Sequence, residues 1–115
     1  MDRDLVRLIR LNRRGDTPHY ITFVSDEDYE RARKHFWHAR VVTSRHVYAR
    51  TYMRSKGRHI HLHHFIIREE ISEGYVVDHI DGNTLNNARE NLRVVTKTEN
   101  QLNSYKHRAR KARRL

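Results

Sequence analysis

The chain has 115 residues, which sets one compact domain as the expectation; its 24 Lys plus Arg against 14 Asp plus Glu give a net charge of +10. Hydrophobic residues make up 37%, enough for a modest core but not for a large enzyme with a deep enclosed pocket. The chain has no Cys, which excludes disulfides, thiolate zinc sites and cysteine nucleophiles.

A charge of this size on so small a domain predicts a polyanionic partner. Nucleic acid fits better than a membrane surface, because no long helix with a wide apolar face is predicted. Apolar runs are only a few residues long, so neither a membrane-spanning helix nor a secretory signal is expected, and the predicted location is intracellular.

In chain order, residues 4–11 partly alternate and read as a strand, and Asn12 to Pro18 as a loop. Tyr20 to Val24 is β-branched and aromatic, hence a strand. Ser25 followed by Asp26, Glu27 and Asp28 reads as an N-cap with acids in the first helical turn, the helix ending near His35. Phe36 to Val42 and Arg45 to Met53 read as a hairpin turning at Thr43-Ser44. Ser55-Lys56-Gly57 is a turn, Arg58 to Leu62 continues the sheet, and residues 64–70 read as a short helix broken at Ser72-Glu73-Gly74. Tyr75 to Ile80 is a strand, Asp81-Gly82-Asn83 opens a polar loop, and Leu92 to Val95 is a second short strand. Thr96 and Glu99 have capping-box spacing, so a helix is predicted from Lys97 into the basic tail.

The stretch with chemical content is Val77-Asp78-His79-Ile80-Asp81-Gly82-Asn83, followed by Asn86-Asn87, Glu90-Asn91-Leu92 and Thr98-Glu99-Asn100. Hydrolysing a phosphodiester requires a deprotonated water, charge relief at phosphorus and help for the departing 3′ oxygen. Histidine is the side chain best poised to take the proton near neutral pH, and a hard divalent ion on oxygen ligands supplies the rest. Asp78 and His79 are neighbours on a predicted strand and would face opposite ways, unless the strand twists or ends there. The Asn100 side chain can complete a metal site opposite Asp78, and Asn103 and His107 follow on the same helix face.

Two strands, a polar loop and a helix carrying these residues resemble the HNH endonuclease family of ββα-metal (His-Me finger) nucleases, over residues 62–103. Leu62-His63 before a short apolar helix, then Val77-Asp78-His79-Ile80, Asn87, Glu90-Asn91-Leu92-Arg93 and Glu99-Asn100-Gln101-Leu102-Asn103, resemble the phage and homing-type branch. The resemblance implies that His79 is the general base and that Asn91 braces the loop and orients it. It implies that Asp78 and Asn100 hold one Mg²⁺ or Mn²⁺, and that products carry a 5′ phosphate. It also implies a phage-like origin in a host cytoplasm. His64 stands where related sequences carry arginine, which removes a guanidinium near the phosphate unless another arginine substitutes.

Plainer readings compete at several positions. His79 beside Asp78 is also the pattern of a buried histidine paired to a carboxylate. His63, His64, Asn87 and Asn103 are candidates for supporting or phosphate contacts, while Asn83 and Asn87 also suit ordinary turn capping. His59, His61 and His63 share one face of a predicted strand; a zinc-like site is the sharp reading, and a face turned to DNA or packed on the helix is the bland one. Lys106, Arg108, Arg110, Lys111, Arg113 and Arg114 form an acid-free run that suits a phosphate backbone or simple solvation. Trp37, Tyr48 and Tyr52 are expected to pack the sheet rather than stack on bases.

The expected fold is α+β, an N-terminal antiparallel sheet with one helix (1–58) packed on a ββα-metal core (59–105), ending in a basic helix or tail (106–115). The expected activity is metal-dependent cleavage of DNA, duplex by preference, as monomer or homodimer. The alternatives are a non-catalytic basic DNA-binding protein on a degenerate nuclease fold and an RNA-cleaving, toxin-like nuclease.

Overall fold

The computed structural model describes residues 5–11, 20–68 and 72–102. Strand β1 (Val6–Arg10) pairs antiparallel with β2 (Ile21–Ser25), from Val6↔Ser25 to Arg10↔Ile21. The alternation of ITFVS buries Thr22 and Val24 on one face, as a half-buried strand requires. Helix α1 (Asp26–Ala32) follows directly, with extended Ser25 as its N-cap and three acids in the first turn. The Ser25 hydroxyl does not cap that helix; it accepts from the Arg89 backbone N–H at 2.9 Å, 64 residues on.

Strands β3 (His38–Thr43) and β4 (His46–Met53) form the expected hairpin, and β5 (Arg58–His61) adds antiparallel to β4. The hairpin turns at Ser44-Arg45, one residue later than expected. Thr43 Oγ1 accepts from the Arg45 and His46 N–H groups, so it closes the strand rather than entering the turn. Gly57, with φ of 64°, takes the left-handed position that turns β4 into β5.

Helix α2 (Leu62–Ile67) starts two residues earlier than predicted, and His63 therefore lies in its first turn rather than on a strand. Leu62 and Ile66, four apart, both point into the core at 0% exposure. Strand β6 (Tyr75–His79) comes next, and β7 (Asn86–Asn87) lies in the polar loop. A 3-10 turn (Arg89–Asn91) leads into β8 (Leu92–Thr96), antiparallel to β6. Thr96 caps the helix as expected, its Oγ1 accepting from the Glu99 N–H at 3.1 Å, and residues 97–102 are helical (α3).

The fold is α+β, but the first half does not make one antiparallel sheet. The strands divide into β1-β2-β7, β3-β4-β5 and β6-β8, and β7 joins β2 in parallel. The cause is tertiary: Thr22 Oγ1 donates to the Leu85 carbonyl at 2.7 Å, and Phe23 N–H donates to the same carbonyl at 2.9 Å. The core draws on both halves, with Val24, Trp37 and Ala49 packed against Leu62, Ile66, Val77 and Leu92. Trp37 is buried as expected, its indole N–H donating to the Ala32 carbonyl at 2.8 Å. Among the described residues, no helix is long and apolar enough to cross a membrane. The expected loop 12–18, Asn103, His107 and the basic tail from Lys106 to Arg114 lie outside the described residues.

Candidate active site

The site is built where β6 stops. Strand β6 ends at His79, whose carbonyl accepts from the Gly82 N–H at 2.9 Å, so the chain turns immediately after the histidine. Gly82 has φ of 79°, a conformation a side chain would strain. Asp78 and His79 are both buried, at 6% and 7% exposure. The loop that follows is knotted to itself. Asn91 Oδ1 accepts from the Asp81 N–H at 2.9 Å, while its Nδ2 donates to Asp81 Oδ1 at 2.8 Å and to the Asn86 carbonyl at 2.9 Å. The Asn91 carbonyl accepts from the Ile80 N–H at 2.8 Å. Asn91 therefore uses its side-chain amide and its backbone to close the loop at its base, and it sits far from solvent at 8% exposure.

Asp81 is the second hub. Its Oδ1 also accepts from the Asn83 N–H at 2.8 Å, and its Oδ2 from Asn86 Nδ2 at 3.0 Å. Partial burial by itself would raise its pKa; the hydrogen bonds from Asn86, the Asn83 backbone and Asn91 outweigh that and hold it below the ordinary value. The carboxylate serves as the loop's internal acceptor.

His79 is held from the other side. Its Nε2 lies 2.9 Å from Asn87 Oδ1, Asn87 Nδ2 donates to Thr22 Oγ1 at 2.9 Å, and the Thr22 hydroxyl donates to the Leu85 carbonyl. This chain fixes direction. The Thr22 proton is committed to a carbonyl, so Thr22 can only accept from Asn87, and the Asn87 oxygen must face His79. His79 Nε2 therefore carries the proton, and Nδ1 is the bare, basic nitrogen. Burial lowers the His79 pKa, partly opposed by the Asn87 hydrogen bond and by the charges of Asp81 and Asp78. The ring is neutral at pH 7 and ready to accept a proton. Asn87 is almost fully buried at 1% exposure. As sequence, Asn86-Asn87 reads as turn chemistry; its placement depends on Thr22, 65 residues earlier, and no local signal carries that.

Asp78 lies opposite Arg93 in the β6–β8 register, and its Oδ2 accepts from Arg93 Nε at 3.1 Å. Asn100 is half-buried on α3, and the register sets Thr96, the residue before that helix, across from Tyr75. A buried carboxylate, and an amide oxygen on the helix that leaves the same hairpin, are the donor chemistry of a hard divalent ion. In the chemistry of their donor atoms, Asp78 and Asn100 suit such an ion. The Arg93 side chain is 43% exposed while its Nε is held by Asp78, so it also borders solvent.

Beside His79 lies a second group of imidazoles. The His63 ring is 5.0 Å from that of His79 and tilted at 77° to it. His61 and His64 flank His63, with ring centroids at 5.2 and 4.5 Å. Burial, then the neighbouring His79, His64 and His61, pushes the His63 pKa down to about 2. His59 stands apart, edge-on to Tyr52. The expected face of His59, His61 and His63 thus regroups as His61, His63 and His64, because the strand gives way to helix at Leu62. An open groove runs from His64 along Arg31, Lys34, Lys56, Arg58 and Arg68.

Residues 61–102 match the family model described as HNH endonuclease. No curated protein and no solved structure matches the chain. The matched segment runs from the last residue of β5 through the described part of α3 and contains Asp78, His79, Asn91 and Asn100. The buried histidine, the amide-braced loop and the family match coincide on one stretch, and over that stretch, residues 61–102, the chain is similar to the HNH endonuclease family.

Proposed function

We propose that the protein is a metal-dependent DNA endonuclease that hydrolyses phosphodiester bonds, with His79 as general base. The observation that carries this reading is the buried chain Leu85–Thr22–Asn87–His79, which protonates Nε2 and leaves Nδ1 as the acceptor. Nδ1 takes a proton from the attacking water, whose oxygen forms the new bond to phosphorus as the bond to the 3′ oxygen breaks. Asn87 holds the imidazolium that results, and Asp81 and Asp78 stabilise its charge. Asn91 positions the loop. Asp78 and Asn100 are the ligands assigned to one Mg²⁺ or Mn²⁺, which when bound relieves charge on the phosphate and the leaving oxygen. Arg93, His63 and His64 are assigned to the phosphate, and the groove beyond His64 to the flanking backbone. Asn103 and the tail residues Lys106, Arg108, Arg110, Lys111, Arg113 and Arg114 are assigned further contacts on their chemistry alone.

The test is plasmid nicking with Mg²⁺, Mn²⁺ or EDTA. Wild-type protein should nick only with a metal present, and His79→Ala should lose about 10²–10⁴-fold in rate while still binding DNA. If His79→Ala nicks as fast as wild type, the base is misassigned. If the wild type never nicks with either ion, the protein is a DNA-binding module on a nuclease fold.

A further inference from the structure

The geometry points to a second metal site on this chain, in which His61, His63 and His64 bind a nitrogen-preferring transition ion such as Zn²⁺, apart from the oxygen donors Asp78 and Asn100. Each of the three rings offers one nitrogen, and the three nitrogens lie within 4.8 Å of one another. They meet because β5 ends at His61 and α2 begins at Leu62. In a continuous strand His64 would have faced away from His61 and His63; the helical turn brings it round, to 6.0 Å between the centroids of His61 and His64.

Among the described residues, none of the three rings has a hydrogen-bond partner, although His63 is only 8% exposed. Among the described residues no buried side-chain nitrogen is left without a partner, so the ring nitrogens of this cluster are reached from solvent and open to an incoming ion. Neutral imidazole is the form that binds metal, and it suits Zn, Ni and Cu rather than Mg. Three Zn–N bonds of about 2.0–2.1 Å in a tetrahedron set the nitrogens about 3.3 Å apart. His63 is fixed by burial, so His61 and His64, half-buried and exposed, are the rings that close the difference. The fourth position opens toward the groove, where water or a phosphate oxygen completes the shell. The charges of Arg40 and Arg50 act on His61, and that of Arg58 on His64. Their charge opposes a dication, which makes this an exchangeable site that favours an anion as fourth ligand.

The experiment titrates chelator-stripped, full-length protein with Co²⁺ in excess Mg²⁺, reading visible absorption, with Zn²⁺ as the displacing ion. One equivalent of Co²⁺ should bind with the intense bands of four-coordination, and Zn²⁺ should abolish them. H61A and H64A should each weaken binding by at least the roughly 10–100-fold lost when even a ligand's supporting contact is removed. His64 is exposed, so H64A is not expected to disturb folding. D78N should bind Co²⁺ as wild type does. No uptake, undiminished uptake by H64A, or loss of uptake in D78N would each overturn the proposal. Uptake by a protein that nicks no DNA supports this site and overturns the endonuclease reading alone.

Discussion

A buried histidine acts as a base only if one of its nitrogens is kept bare, and here Asn87 keeps it so. Its amide oxygen faces His79 Nε2 because its amide nitrogen is spent on Thr22. The pH dependence follows. Only the neutral ring can take a proton, and burial lowers the His79 pKa from 6.5. Nicking by the wild type should therefore hold level from pH 8 to 6.5 and fall only below that range. The Asn87 contact favours the protonated ring, so Asn87→Ala should move the acid limb to still lower pH. Asn87→Asp sets a negative charge on the ring and should move it up. Asn87→Ala also frees the tautomer, and a rate loss of about 10–100-fold is expected, equivalent to one charge-assisted hydrogen bond. Rates measured from pH 4.5 to 8.5 for the three proteins check this; a wild-type limb at or above 6.5 would contradict His79 as base.

Between elements, one buried carboxylate does most of the tying. Asp28 on α1 is 1% exposed. Arg89 Nε reaches both its oxygens, at 3.1 and 2.9 Å, and Arg31 donates to Oδ1 at 3.0 Å. The clamp joins α1 to the 3-10 turn that delivers Asn91 and β8. Asp28→Asn should cost about 2–3 kcal/mol in urea unfolding, because Arg89 is partly exposed and can retreat to water while Asp28 cannot. The urea midpoint should fall with an unchanged slope; a cost under about 0.5 kcal/mol would show that the clamp is not needed. From sequence, Asp28 reads as one more acid in a first turn. The same divide runs through the fold. Strands β2, β6 and β8, the Ser25 start of α1 and the Thr96 cap of α3 were legible because local pattern decides them. The start of α2 was not, because Ile60 and Leu62 continue a strand alternation while Leu62 and Ile66 also satisfy helical spacing. Strand β7 was illegible for a different reason: two asparagines have no strand propensity, and their pairing comes from β2, more than sixty residues away. The motif residues Asp78, His79 and Asn91 stood out as residue types, whereas the Thr22–Asn87 relay exists only in three dimensions.

At the scale of the molecule, the charge of +10 determines how it meets a polyanion, and its placement decides where. The groove beside His64 gathers Arg31, Lys34, Lys56, Arg58 and Arg68. Arg31 is occupied by Asp28 and stacks on Phe65. Lys34, Lys56 and Arg58 are exposed and, among the described residues, make no ion pair. Three such cations beside the site fit phosphates flanking the one that is cut. Each phosphate they neutralise releases condensed counterions, steepening the plot of log K against log[salt] by about 0.9. Replacing Lys34, Lys56 and Arg58 together by Ala should flatten that slope by about 3 for a non-specific duplex, with weaker binding at low salt and little change in thermal stability, since none of the three is buried. His79→Ala should leave the slope alone. Equilibrium binding of one short duplex across a salt series measures both variants. If the triple variant keeps the wild-type slope, the groove is not the track, and the phosphate contacts belong to the basic residues after position 105.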